Sequence, residues 1–534
     1  MNQHNVHLLD LPNEILFLIL KNLDNTDVLY SLFGINNQRL NIIVQEPIFT
    51  NILNFVSISQ STDEIFSISN SILSRFSIDI LPRIHKNVQS LILQSDSMEC
   101  ILRAGIYPNL TQLKIFNFNK SIFSHYFMDD SLFQHIDKQQ LTDLILIINE
   151  NNTEITQKEY TKNVYANILA FFKNLKHLSI ASSSVEDYPL SSLCYLPSMT
   201  FSSSTLTKLS INVNDFDDCL SLLDGRLKQL TEFIVQVDYI SNWTSTFYSM
   251  DDLPNLKCFS LTCYRNTEGY DILVVPLLRR MSHLEELTLY ILIFRGSTCI
   301  SGTHLDNEIL IHMPRLHTFT FYIVSQNVDA DPTVHVSVDD IQRTFTNIKY
   351  REVACMVDYF NSRDITSRVF SLPFKFDRLE NITNNIPNIV FDSVTHLKLW
   401  DKDPFKHDFF VRLTRAFPFL KYLSMWNIQP PFFKLREFHL YEKDWCSIVE
   451  YPHLISLDFG DTAAHYLEHF LNETKTYLPR LTELKVDYDH LQNVTENFTN
   501  DEMRHNCSRI KRLIVEYSIV FSKDVYDYFP LLSI

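Results

Sequence analysis

Glycine is scarce, with only 7 among 534 residues. Loops that cradle phosphate need glycine so that the backbone can approach closely. Neither G-x-G-x-x-G nor G-x-x-x-x-G-K occurs. Basic runs are also missing, and the formal net charge is −17. A surface of that sign disfavours nucleic acid and anionic membranes as partners. No apolar run reaches the roughly 18–20 residues of a membrane span. The N-terminus lacks the basic stretch and small-residue cleavage site of a signal peptide. The 9 cysteines are odd in number, scattered, and without a C-x-x-C pair. They read as reduced thiols of a cytoplasmic or nuclear protein rather than a disulfide framework. The sequons at Asn109, Asn242 and Asn497 are then expected to be chance. No G-x-S-x-G and no paired Cys/His signature is found, and nothing points to a cofactor.

What is present begins at the front of the chain. Pro12 suits the start of a helix, and Glu14 in the first turn meets the helix dipole favourably. Ile15, Leu16, Phe17, Leu18, Ile19, Leu20 and Leu23 make this helix apolar on nearly every face. Asn22, Asp24 and Asn25 interrupt it. Further short helices are expected at about 26–33 and about 37–46, the latter ended by Pro47. A helix apolar all round is normally buried. Some forty residues cannot bury this one, so part of its surface is expected to meet another protein.

Leu11-Pro12-x-Glu14-Ile15-Leu16-x-x-Ile19-Leu20-x-x-Leu23, followed by Asp27-Val28-Leu29 and Ser31-Leu32, resembles an F-box. The resemblance covers about residues 8–50. It departs from the family pattern at Gly34–Arg39, where Val-Cys-Arg-like residues would be expected. It implies docking on the Skp-type adaptor of a cullin-RING ubiquitin ligase. By the same resemblance Leu11, Pro12, Ile15, Leu16, Ile19 and Leu23 are the contacts.

After a Ser-rich stretch at 57–63, residues 64–76 carry apolar side chains at helical spacing. A repeated unit then sets in, Leu-x-x-Leu-x-Leu with conservative swaps. Its first member is Val88/Leu91/Leu93 and the first series ends at Leu316/Phe319/Phe321. A second series runs from Val394/Leu397/Leu399 to Ile510/Leu513/Val515. Fourteen units fit in order, and Leu435/Phe438/Leu440 fits off the spacing. The final Leu-x-Leu has the period of a strand. Pro108, Pro254, Pro314, Pro418, Pro452 and Pro479 each stand two residues before a unit's first leucine. There they would stop a preceding helix and extend the chain. Asp461-Thr462 could cap an intervening helix with Ala463, Leu467, Phe470 and Leu471 on one face.

The series resembles the irregular leucine-rich repeats found behind an F-box. The fold class is α/β: a leucine-rich-repeat solenoid, with a curved parallel sheet and outer helices, preceded by a small all-α F-box. The expected organisation is F-box at 1–50, linker or helical cap at 51–84, a first arc at 85–323 and a second at 393–534. The signal fails over 324–392, read as degenerate repeats, an insertion, or a boundary between arcs. Asp329–Pro332 reads as a turn there, and Phe370–Phe376 as a strand-like alternation.

Residues alternating with the strand leucines should face outward on the concave sheet. Towards the C-terminal end these are Tyr290, Tyr322, His396, Trp400, Trp426 and Tyr441, with Glu286 and Lys398 beside them. Earlier they are smaller and more polar, as at His177, Ser179, Lys208, Ser210, Asn212, Cys258 and Ser260. Aromatic residues are enriched at binding hot spots, so the later group is the candidate surface for a protein client. One string looks catalytic. His465-Tyr-Leu-Glu468-His469 matches the inverted zinc-protease motif H-x-x-E-H. Both histidines fall opposite the Leu467/Phe470 face and should point to solvent, and nothing marks a third ligand, so no metal is assigned. Lys406-His407-Asp408, Asp129-Asp130 and Asp339-Asp340 read as solvated surface or helix caps.

The expected function is that of a non-catalytic substrate-recognition subunit of an SCF-type ubiquitin ligase. An interaction scaffold with no ligase role is the alternative.

Overall fold

The computed structural model describes residues 10–59, 65–118, 136, 139–148, 168–182, 202–243, 252–295, 299–328, 337–360, 364–426, 448–460, 462–515, 517 and 519–532. It divides into two compact units. The first comprises residues 1–59, 64–293 and 306–319; the second comprises 60–63, 294–305 and 320–534.

The first unit opens with four short helices, α1 (Asn13–Leu20), α2 (Asn25–Leu32), α3 (Gln38–Val44) and α4 (Pro47–Thr50). Pro12 precedes α1 in an extended conformation, and its carbonyl accepts the N–H groups of Ile15 and Leu16. Gly34 takes φ +77°, a left-handed turn beyond α2 that favours glycine. Asn37 caps α3 through the Leu40 N–H. Pro47 both follows α3 and starts α4, where its missing N–H is no loss. Leu16, Leu20, Val28, Leu29, Leu40, Val44 and Phe49 form the core of this front.

The front runs directly into a sheet. Strand β1 (Ile52–Asn54) lies in the stretch expected as linker; with only Leu53 buried it carries no leucine motif. Strands β2 (Val56–Ile58) and β3 (Ile65–Ser67) pair antiparallel, so the helical spacing of 64–76 is realised only from Asn70 onward. Eight strands follow: β4 (Ser90–Gln94), β5 (Gln112–Phe118), β6 (Asp143–Ile148), β7 (His177–Ser182), β8 (Lys208–Asp215), β9 (Glu232–Tyr239), β10 (Cys258–Thr267) and β11 (Glu286–Phe294). The sheet order is β1-β4-β5-β6-β7-β8-β9-β10-β11, and all of these pairings are parallel. Register aligns the repeat leucines into buried ladders. Leu91, Leu113, Leu144, Leu178, Leu209, Phe233, Phe259 and Leu287 stand side by side in successive strands. No strand could bury such a row alone, which is why the unit is stable only as a stack.

Each strand start is fixed by the strand before it. The carbonyls of Asn51, Gln89, Thr111, Thr142, Lys176, Thr207, Thr231 and Lys257 each accept two consecutive N–H groups from the next repeat. Two residues before the first of these donors, a side chain makes a second tie. Asn109 donates to the Lys86 carbonyl, Asn174 to Gln139, Thr205 to Lys173 and Asn255 to Lys228.

The second unit holds two arrangements. Most of β12 (Thr318–Asn327) belongs to it, with β13 (Glu352–Tyr359) and β14 (Ile365–Leu372), paired antiparallel in the order β12-β14-β13. Then come β15 (Arg378–Ile382), β16 (His396–Trp400), β17 (Tyr422–Trp426), β18 (Val449–Glu450), β19 (Ser456–Asp458), β20 (Thr476–Tyr477), β21 (Glu483–Lys485) and β22 (Arg512–Ile514). Six form a parallel sheet in the order β15-β16-β17-β19-β21-β22, and β18 pairs with β20. Repeat ties recur here: Thr395, Lys421, Ile455 and Thr482 each accept two N–H groups, and Arg509 donates to the Pro479 carbonyl.

The failed repeat signal at 324–392 therefore has a physical cause. β14 runs antiparallel between β12 and β13 and is buried on both faces, so it shows no one-sided alternation. Buried Arg368 of β14 pairs with Asp358 of β13 and donates to the Asn381 carbonyl. Strand β15 is a repeat strand interrupted by a register shift between Leu379 and Ile382, with Asn381 at φ +55°. The expected cap of the 464–471 helix is corrected. Ala463 is the cap residue, and the Thr462 hydroxyl donates to the Met425 carbonyl instead. Asp461, Asp129, Asp130, Asp329–Pro332 and Leu435/Phe438/Leu440 lie outside the described residues.

Candidate recognition surfaces

In the helical front, α1 turns Leu16 and Leu20 into the core. It leaves Ile15 42%, Leu18 59% and Ile19 40% exposed, with Leu23 just beyond at 53%. Pro12 is exposed and Leu11 half-buried. Of the six expected contacts, Leu16 is thus a core residue and not at the surface. Leu18, which the motif left unmarked, joins the exposed set. The chain path before α1 is held by Arg39, whose guanidinium donates to the Asn13 side chain and the Leu11 carbonyl. The front is also tied to β1. The Thr26 hydroxyl donates to the Asn54 carbonyl at 2.7 Å, and the Asn25 amide donates to Ile48 and Ile52 carbonyls at 3.0 Å.

On the sheet of the first unit, the outward row is polar and internally paired. Asp143 meets His177 at 3.2 Å, and Lys208 meets Glu232 at 2.7 Å. Cys258, beside them, is half-buried, and burial first, then Glu286 and Glu232, push its thiol up.

The six-stranded sheet presents the other surface. Its first outward row is Arg378, His396, Tyr422, Ser456, Glu483 and Arg512 in register. His396 stacks on Tyr422 with ring centroids 4.3 Å apart. Glu483 takes the Ser456 hydroxyl at 2.9 Å and Arg512 at 3.1 Å, and Arg378 pairs with Glu380. The second row is Lys398, Ser424, Asp458 and Lys485, and the last two form an ion pair at 3.0 Å. The third row sets Trp400 beside Trp426, exposed by 38% and 40%. Each indole is braced. The Phe360 ring lies 4.9 Å from Trp400, and the Lys402 ammonium fixes that segment by donating to the Tyr359 and Phe360 carbonyls. The Lys398 ammonium stands 4.8 Å over the Trp426 ring, and a Cβ at Gly460 would stand 3.6 Å from the same indole.

Two expected members of this surface are corrected. Tyr290 and Tyr322 are fully buried. Tyr290 sits in Leu289–Ile293 and Tyr322 in Phe319–Ser325, strand runs covered on both faces. Tyr290 meets the Tyr264 ring at 4.8 Å, and Tyr322 meets Phe374 at 5.8 Å. Burial pushes the Tyr322 phenol well up, against the opposing pull of Arg368. A near-continuous apolar run is the signal that could have placed them inside. Tyr441 lies outside the described residues.

The H-x-x-E-H string does not form a ligand pair. His465 is exposed, whereas His469 is buried, its ring stacked 4.8 Å from Phe410 and edge-on to His407 at 5.6 Å. Glu468 pairs with Lys475 at 2.7 Å. Both His469 and His407, expected at the surface, are core residues because helix 464–471 packs that side on helix 407–416 through aromatic rings. Among the described residues, no three His, Cys, Asp or Glu side chains gather as a metal site, and no helix is long and apolar enough to cross a membrane.

No family model and no curated protein matches the chain. Among solved structures, the crystal structure of the Rad7 and Elc1 complex in yeast is similar at a TM-score of 0.30 and 14% identity. The likeness covers 57% of this chain and 86% of that chain.

Proposed function

We propose that the protein is a non-catalytic receptor that docks on a Skp-type adaptor through its helical front and holds a protein client on its repeat sheets. Through the adaptor it would join a cullin-RING ubiquitin ligase. The observation that carries this reading is the uncovered apolar edge Ile15, Leu18, Ile19 and Leu23 on a front whose own core is already complete. Four large apolar side chains on one short segment cost solvation free energy unless another surface covers them. That edge coincides with the resemblance to an F-box. Client capture falls to the braced pair Trp400 and Trp426, since rigid, half-exposed indoles contribute contact area at little entropic cost. Transfer of ubiquitin would gain from proximity alone. The described cysteines are free thiols, which suits the cytosol or nucleus.

The ties of Thr26 and Asn25 to the β1 segment favour a second reading, in which the front only caps the sheet of a scaffold protein. Co-purification separates the two. Ile15→Asp with Ile19→Asp should remove the adaptor from full-length protein without changing Tm. Retention of the adaptor, or its absence from the unmodified protein, would leave the capping role alone.

A further inference from the structure

We propose that Lys398 and the indole pair Trp400–Trp426 read a client segment in which an anionic group stands next to an aromatic or aliphatic side chain. This rests on the reading that the second unit's sheet captures the client. It adds the chemistry of what is captured.

The charges on this face are mostly matched within it. Lys485 is held by Asp458, Arg512 by Glu483, and Arg378 by Glu380. Asp458 is further engaged by the Gly460 N–H, and Asp401, next to Trp400, accepts the N–H groups of Asn384 and Asp403. His396 is stacked on Tyr422. Lys398 is different: among the described residues no carboxylate meets its ammonium, which rests instead over the Trp426 ring. A cation over an indole keeps its hydrogen-bond donors available, because the ring supplies only the field of its face. An anion approaching there gains a charge-assisted hydrogen bond. Its flanking apolar side chain would meet Trp426 and Trp400, neighbours in register one strand apart. A cationic client would be repelled by Lys398 and would find the carboxylates of the face already paired.

The anion can be a carboxylate or a phosphate, since both accept from an ammonium. The test is selection from a phage-displayed library of random peptides on full-length protein, followed by titration of the enriched peptides. The variants are Trp400→Ala/Trp426→Ala and Lys398→Met, which keeps the aliphatic stem over the ring and removes the charge. Lys257→Met in the first unit is the control, and Tm checks that each variant is folded. The expected peptides place Asp or Glu beside an aromatic or aliphatic residue. They should bind the double-indole variant not at all and Lys398→Met about tenfold more weakly. Peptides that need the indoles but carry no acid, or that ignore Lys398→Met, would overturn the anion inference while leaving the face as a recognition surface. Absence of any indole-dependent peptide would overturn both. Synthetic peptides with glutamate or phosphoserine at the enriched position then distinguish the sources. Weakening of either by Lys398→Met supports the inference, and indifference of both overturns it.

Discussion

At the scale of single residues, the buried polar groups give sharp expectations. Arg368 and Asp358 are both nearly removed from solvent, and the guanidinium is shared with the Asn381 carbonyl. Removing one partner of such a pair leaves the other charge uncompensated. Asp358→Asn should therefore cost about 3–5 kcal/mol in chemical denaturation, far more than loss of the exposed Glu99–Arg103 pair. His469 sets an acid limit. Burial, then the neighbouring charges of His407 and Lys475, hold it down to about 3. An unfolded histidine titrates near ~6.5. Between those values the unfolded chain carries a proton that the folded chain refuses, so stability falls as pH drops through that window. His469→Gln should flatten the dependence of Tm on pH from about 6.5 downward; an unchanged slope would assign the acid sensitivity elsewhere. The thiols divide by burial. Iodoacetamide at neutral pH should label Cys100 and spare Cys219, Cys263, Cys355 and Cys507, which mass spectrometry of peptides can read. Burial pushes Cys263 and Cys355 each up to about 12.

At the scale of elements, α1 separates folding from docking on a single helix. Leu16→Ala opens a cavity in the front's core and should cost about 2–4 kcal/mol, whereas Ile15→Asp should leave Tm nearly unchanged. The repeat ties are weaker. Asn255→Ala removes one amide bond to the Lys228 carbonyl at an exposed strand start, an expected loss of about 0.5–1 kcal/mol. How much was legible follows the same division. All fourteen leucine units carry strands; thirteen lie in the parallel stacks, where a strand must repeat its buried pair at fixed spacing, and the fourteenth, Leu316/Phe319/Phe321, lies in β12, which pairs antiparallel with β14. Strands β1 and β13 and the start of β14 were not legible; the strand-like alternation expected at Phe370–Phe376 is strand only at Phe370–Leu372, the end of β14. Strand β1 has a single buried leucine, and β13 and β14 are covered on both faces, which erases alternation. The same erasure hid the burial of Tyr290 and Tyr322. Trp400 and Trp426 were legible as outward positions since they end clean five-residue alternations. The bracing by Phe360 was not, because Phe360 lies some forty residues before Trp400 and is held there by Lys402. The Asn109, Asn174 and Asn255 ties were available as a recurring Asn before the first leucine of a unit.

At the scale of the whole molecule, two compact units carry two different surfaces. The first unit exposes an apolar helical edge, and the second exposes a braced aromatic pair beside a lysine. The receptor reading needs both, and it needs the first to bind a specific subunit. The direct measurement is titration calorimetry of purified full-length protein with a purified Skp-type adaptor, beside the Ile15→Asp/Ile19→Asp variant. One-to-one binding that the variant abolishes at unchanged Tm is the expected result. No heat of binding, or equal binding by both proteins, would contradict the receptor account.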